Sequence, residues 1–362
     1  MKKMLVFSLS VILLFSICGT VFATEQKGAT QESKVDLHLI KKIDSFLQQR
    51  GEQLKTMKIG GLLTKYDEAL GLIKLMKEVH SQGLVNYETK YLVKKTERTE
   101  SLAIVTIELY QIFTWEGTDV VTEFKDDVTF SIDSSDEISS INIPQLSIDS
   151  DQIVSNGKRL KEEKESEKSL LQEMNQSSPI QTLSSYTFNR GAVKNYVDTY
   201  WDNYNTTYYE YSNDCTNFAS QAIHAGGIPM YIHPVGGGAT DNNPSWYLNI
   251  YSNGLLRSVS WINVDYLFDL MRNYNTIDAE ASNHASMQIG DIIQYDRSSN
   301  GTGKDHTAIV SEIYYVVING VLDRRVSVSY HTTDRHNIPY DYYATQNPTT
   351  TIYYTHIKDT QN

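Results

Sequence analysis

The chain has 362 residues, 40% hydrophobic and 21% charged, with a net charge of −12. The length exceeds one typical domain and suits two, and the composition is globular. The acidic balance gives nucleic-acid binding no electrostatic support, and two cysteines cannot make a disulfide framework.

Lys2 and Lys3 precede an apolar run over 4–17, and Val21-Phe22-Ala23 closes the segment. This pattern predicts a signal peptide over 1–23 and a secreted, extracellular protein, with association with the cell wall left open. No later stretch is long and apolar enough to span a bilayer, so no integral span is expected after cleavage. Cleavage after Ala23 removes Cys18 and leaves Cys215 as the lone cysteine. In an oxidising compartment such a thiol is either buried or used.

Residues 24–36 are polar and expected to be disordered. Over 37–157 the pattern predicts a small α+β domain. Leu37, Leu39, Ile40, Ile43, Phe46 and Leu47 fit an amphipathic helix over 37–58, and a second helix is expected over about 65–80. Alternation then shifts to period two in Tyr91-Leu92-Val93, 103–110 and 128–132, which read as strands of an antiparallel sheet. No cluster of acids or histidines marks this half, so its expected part is interaction, placement or inhibition, with the wall or a protein as the partner it would bind, and the sequence does not choose among these. Residues 158–180 are dense in Lys and Glu and end at Ser177-Ser178-Pro179, as a charged helical linker would. Composition also changes here: 19 of 22 lysines precede residue 181, and 21 of 25 tyrosines follow it.

The region 181–362 carries the candidate chemistry. The stretch from Asn213 to Ile223 predicts a helix with Asp214 as N-cap. Phe218, Ala219, Ala222 and Ile223 form its apolar stripe, and Gly226-Gly227 its end. Cys215 then stands in the first turn, where the helix dipole favours a thiolate and lowers the thiol pKa. A thiol nucleophile needs a base. Among the histidines that follow, His306 begins a strand after a polar loop and follows the strand 290–295. Asn319-Gly320 predicts a hairpin that returns the next strand beside His306. That places His331 or Asp334 as the group that orients His306, and the sequence does not choose between them. The Cys215 N–H would hold the oxyanion.

These blocks resemble a known family. Tyr186-Thr187-Phe188-Asn189-Arg190-Gly191, Asp214-Cys215-Thr216-Asn217-Phe218-Ala219-Ser220-Gln221-Ala222, Gly290-Asp291-Ile292-Ile293-Gln294-Tyr295, Asp305-His306-Thr307-Ala308-Ile309-Val310 and Tyr330-His331-Thr332-Thr333-Asp334 occur in order over about 185–356, about half of the chain. They resemble the bacterial putative amidase domain family, which is similar to the NlpC/P60 and CHAP hydrolases. The resemblance implies an α+β fold, papain-like (NlpC/P60-like) in the C-terminal domain. It also implies a cysteine amidase or peptidase acting on amide bonds of peptidoglycan. Alternatives are a secreted peptidase or transpeptidase acting on proteins, and a wall-binding protein on a degenerate hydrolase fold.

The remaining features are weaker. Asp214, Tyr211 and Trp246 are candidates for the substrate side, although each aromatic residue suits the core as well. Residues 235–240 are glycine-rich without the lysine of a phosphate loop and read as a loop or lid. No histidine pair has metal-site spacing in a helix, so no metal and no cofactor are expected.

Overall fold

Alternating burial organises the first half of the chain. The computed structural model describes residues 37–56, 83–142, 185–231, 245–251, 254–273, 277–297, 303–318 and 320–361. The expected signal peptide, the polar segment 24–36, the helix over 65–80, the linker 158–180 and the glycine-rich stretch 235–240 lie outside them.

Strands β1 (Leu84–Arg98), β2 (Leu102–Trp115), β3 (Val121–Asp133) and β4 (Ile138–Asn142) form an antiparallel meander. β2 buries every second residue from Ala103 to Trp115, the signature of a sheet covered on one face. Helix α1 (Leu37–Thr56) supplies the cover. Its Leu39, Ile43, Phe46 and Leu47 pack on Ala103, Val105, Ile107, Leu109, Val128 and Phe130.

The second half begins with β5 (Tyr186–Thr187) and helices α2 (Arg190–Tyr200) and α3 (Cys215–Ala225). A short hairpin, β6 (Leu248–Tyr251) with β7 (Gly254–Arg257), precedes α4 (Val259–Ile262) and α5 (Val264–Arg272). Then come β8 (Ala279–Ala281), β9 (Ile292–Asp296), β10 (His306–Ile318), β11 (Val321–Tyr330), β12 (Arg335–Pro339), α6 (Tyr342–Gln346), β13 (Thr351–Ile357) and β14 (Thr360–Gln361).

Among the described residues the strands of both halves form one ten-stranded sheet, in the order β1-β2-β3-β12-β11-β10-β9-β13-β8, with β4 on β3. All of its pairings are antiparallel. Residues Asp36–Asn362 make one compact unit. This corrects the expected α+β, papain-like (NlpC/P60-like) fold class. The molecule is mostly antiparallel sheet, with few helices. The motif blocks locate helix and strand starts, but strand-edge pairing depends on main-chain hydrogen bonds that carry no residue signature. Here the edge of β12 takes β3 as its neighbour, with Arg335 opposite Phe124 and His336 opposite Glu123.

The two sheet faces have different covers. Ile292 and Ile309 look toward the core that holds Phe218, Trp246, Trp261 and Leu267 of the helical layer. Their strand neighbours Ile293, Tyr295, Ala308 and Val310 look to the other side, where Tyr342, Tyr343, Phe113 and Phe124 pack. Gly226 ends α3 where a Cβ would lie 2.5 Å from Phe188 Cε2 and 2.6 Å from Val193 Cγ2. Only a glycine lets α3 approach α2 so closely.

The seam between the halves carries a buried ion pair. Arg335 Nη2 donates to Asp126 Oδ1 at 2.9 Å, and Nη1 donates to the Lys125 and Asp334 carbonyls. Removing one charge strands the other out of water. Asp126→Ala should therefore lower stability by about 3–5 kcal/mol. The double replacement Asp126→Leu with Arg335→Met should recover most of that loss, as read from urea midpoints. Equal loss in both variants would show that the pair is not what holds the seam.

Candidate active site

The start of α3 is set by what Asp214 holds. This residue has no exposed surface. Its Oδ1 accepts from the Tyr211 N–H at 3.0 Å and Asn217 Nδ2 at 2.8 Å, and its Oδ2 accepts from His331 Nδ1 at 2.8 Å. The Asp214 N–H donates to Thr332 Oγ1 at 2.9 Å, and Thr332 adopts φ +89°. Asp214 is thus not a side-chain cap of the first turn. Its carboxylate ties the loop before α3 to the chain leaving β11.

The rest of the block faces inward too. Asn217 Oδ1 accepts from Trp261 Nε1, Ser220 Oγ from Trp246 Nε1, and Gln221 Oε1 from the Tyr196 hydroxyl. Thr216 Oγ1 meets Thr307 Oγ1 at 3.0 Å, which also accepts from Gln294 Nε2 at 3.3 Å. Buried polar groups need such partners.

Cys215 is 7% exposed, and the Thr307 N–H at the start of β10 faces its sulfur. Burial pushes the thiol above its ordinary value of 9.0, against the opposing pull of that N–H, the Thr216 hydroxyl and the Arg297 charge. The lowering expected from the helix start is therefore outweighed by removal from water. His306, one residue before Thr307, is 3% exposed. Burial first, and the Arg297 charge second, hold its imidazole well below 6.5. The two groups rest as a neutral thiol and a neutral ring.

The His306 ring sits in a box of tyrosines. It meets Tyr330 at 4.4 Å and Tyr343 at 5.1 Å, both edge to face, and Tyr295 at 5.8 Å. Its Nε2 pairs with Tyr343 Oη at 3.3 Å, and Nδ1 has no hydrogen bond among the described residues. The Arg297 guanidinium lies 4.9 Å from the Tyr343 ring centre, and its Nε donates to Asp305 Oδ1 at 2.7 Å.

His331 and Asp334, the expected orienting groups, are held elsewhere. The hairpin does bring the end of β11 beside the start of β10. Side chains on a strand alternate between faces, however. His306 shares the face of Ala308 and Tyr330, so His331 falls on the opposite one. There it stacks on Phe218 at 3.9 Å and meets the Tyr200 carbonyl through Nε2 at 2.6 Å. Asp334 lies 3.7 Å from Lys125 Nζ, and burial raises its carboxyl. Tyr343, which follows the described turn after β12, takes the place beside Nε2. Nothing in the sequence separates it from its tyrosine neighbours. Arg297 was missed for the same reason, since only pairing of β9 with β10 brings it to the site. Of the substrate-side candidates, Trp246 is fully buried against Trp261 at 4.6 Å. Tyr211 is 7% exposed, with Arg257 5.3 Å from its ring centre. Both belong to the core. No cluster able to hold a metal ion occurs among the described residues.

Comparison with known proteins places the blocks in a family. Residues 187–355 match the family model described as "Putative amidase domain". Within the C-terminal half, residues 187–355 thus carry a match to that domain. The match supports hydrolysis of amide bonds as its general activity. Two Bacillus subtilis (strain 168) proteins are similar. "Uncharacterized protein YhbB" is 29% identical over 126 residues, covering 35% of this chain and 38% of its own length. "Uncharacterized protein YjcM" is 27% identical over 161 residues, covering 42% of this chain and 32% of its own. The chain thus spans about a third of the length of each relative. No solved structure matches.

A thiol held above 9.0 carries little thiolate at neutral pH. Iodoacetamide should label Cys215 slowly at pH 7, and the rate should still be climbing beyond pH 9, as followed by the mass of the Cys215 peptide. A rate already level at pH 7 would contradict the dominance of burial.

Proposed function

We propose that the protein is a secreted cysteine hydrolase that cleaves amide bonds of peptidoglycan, in the stem peptide or at its junction with the sugar. One observation carries this reading. Cys215 opens a helix against the residue that follows His306, whose Nδ1 has no hydrogen bond among the described residues.

In the tautomer where Nε2–H donates to Tyr343 Oη, Nδ1 is the basic nitrogen. Because thiol and ring rest neutral, the sulfur loses its proton to Nδ1 as it attacks the carbonyl carbon. The Cys215 N–H at the open end of α3 stabilises the oxyanion. Collapse of the tetrahedral adduct expels the amine, which takes the proton back from Nδ1. Water, deprotonated by the same nitrogen, then attacks the thioester carbonyl; the carbon–sulfur bond breaks, the acid leaves, and the sulfur takes the proton back from Nδ1. Export rests on the charged, apolar and small-residue order of 1–23, and the peptidoglycan substrate on the family resemblance.

A second reading is favoured by the burial of Cys215 and its raised pKa: a wall-binding protein that has kept a hydrolase family's framework without its chemistry. Digestion of purified peptidoglycan and of casein, with mass spectra of the products, separates these readings. We expect peptide release from peptidoglycan and none from casein. Cys215→Ala should reduce release at least about 10³-fold, and His306→Gln at least about 10²-fold, each with near wild-type melting. Full activity in Cys215→Ala would end the cysteine mechanism. Binding to walls without any release by the wild type would establish the second reading, and cleavage of casein alone a protein peptidase.

A further inference from the structure

Buried arginines in this fold use their forks. Arg190 places Nε on Asp359, Nη1 on Asp291 and the Ile289 carbonyl, and Nη2 on the Ile357 carbonyl. Arg335 places both Nη atoms on Asp126 and main-chain carbonyls. Arg297 differs. Its side chain is only 18% exposed, and its stem is fixed from several sides. Nε donates to Asp305 Oδ1, the main-chain N–H donates to Asp305 Oδ2 at 3.0 Å, Asn347 Nδ2 donates to its carbonyl at 2.7 Å, and the Tyr343 ring lies against the guanidinium. Nη1 and Nη2 have no hydrogen-bond partner among the described residues.

The guanidinium stands against the ring whose hydroxyl meets His306 Nε2, and the Arg297 charge acts on both the sulfur and the imidazole. Two parallel N–H donors on a rigid planar group match the two oxygens of a carboxylate. The chain as a whole is acidic, at −12, and repels anions at a distance. A carboxylate reaching Cys215 therefore needs a local cation to receive it.

We propose that Arg297 binds a carboxylate on a residue adjoining the scissile amide, so that the substrates are anionic peptides. This rests on the reading of Cys215 and His306 given above and narrows it to a substrate class. A neutral analogue would leave the fork to water and forgo the charge-assisted pair, which disfavours it relative to the carboxylate.

Two alkylating agents test this without knowledge of the natural substrate. Iodoacetate carries a carboxylate, and iodoacetamide is its neutral counterpart. In both, the Cys215 sulfur displaces iodide. Labelling rates of Cys215 in the full chain would be measured at pH 9, with the Cys215→Ala chain as blank for Cys18. The ratio of the iodoacetate rate to the iodoacetamide rate should fall by about tenfold in Arg297→Gln. Arg297→Lys, which keeps the charge but not the fork, should lie between, and it serves alone if the glutamine variant does not fold. An unchanged ratio in a folded variant would overturn the proposal, as would a Cys215 that neither reagent reaches. An unchanged ratio with active enzyme leaves the cysteine mechanism standing. A changed ratio with full activity in Cys215→Ala leaves a carboxylate site beside a cysteine that does no chemistry.

Discussion

Asp214 joins three pieces of chain that the sequence holds far apart. Its two buried oxygens take a main-chain N–H from the preceding loop, an amide from α3 and a ring nitrogen from the end of β11. An unpaired carboxylate in that position would be costly, so these segments are constrained to meet in one arrangement. The start of α3, and Cys215 with it, is thereby fixed over the first residues of β10. The imidazole of His331 belongs to this clamp, since both of its nitrogens meet acceptor oxygens.

A second constraint comes from the sheet. Its C-terminal strands do not stop at β12 but continue through β3 into the meander covered by α1. The Asp126–Arg335 pair and the Glu123–His336–Asp198 contacts lie along that seam. His336 also stacks on Trp201 at the end of α2, at 5.3 Å. Residues of the first half thus help to hold the helical layer of the second, so the family-matched half rests on partners outside the matched region.

The site reads as a neutral pair in a dry setting rather than a preformed ion pair. The sulfur lies against main chain at the helix start, and the imidazole is boxed by three tyrosines. In the proposed mechanism such a setting holds charge back until substrate arrives and one proton then passes from the thiol to the imidazole. Arg297 lies against Tyr343 with two nitrogens unpaired among the described residues, which is why the substrate inference centres on it.

By itself the sequence determined the local features. Helix α1, the alternating strands, the helix opening at Cys215, the glycine stop after it, the strand opening at His306 and the pairing of β10 with β11 were all legible. Each is decided by nearest neighbours: apolar period, turn chemistry and the room a glycine leaves. The family resemblance of the C-terminal half was legible in the ordered blocks as well. Only the tertiary structure decided that the fold is dominated by one antiparallel sheet, because strand edges pair through main-chain groups common to all residues. It also decided that His331 faces Asp214 while His306 faces Tyr343. The hairpin puts these two histidines side by side in the chain path, but strand alternation turns them to opposite faces. Likewise the sequence suggested a lowered thiol pKa from position alone. The opposite shift follows from burial, which depends on what folds over Cys215 and not on its neighbours in the chain.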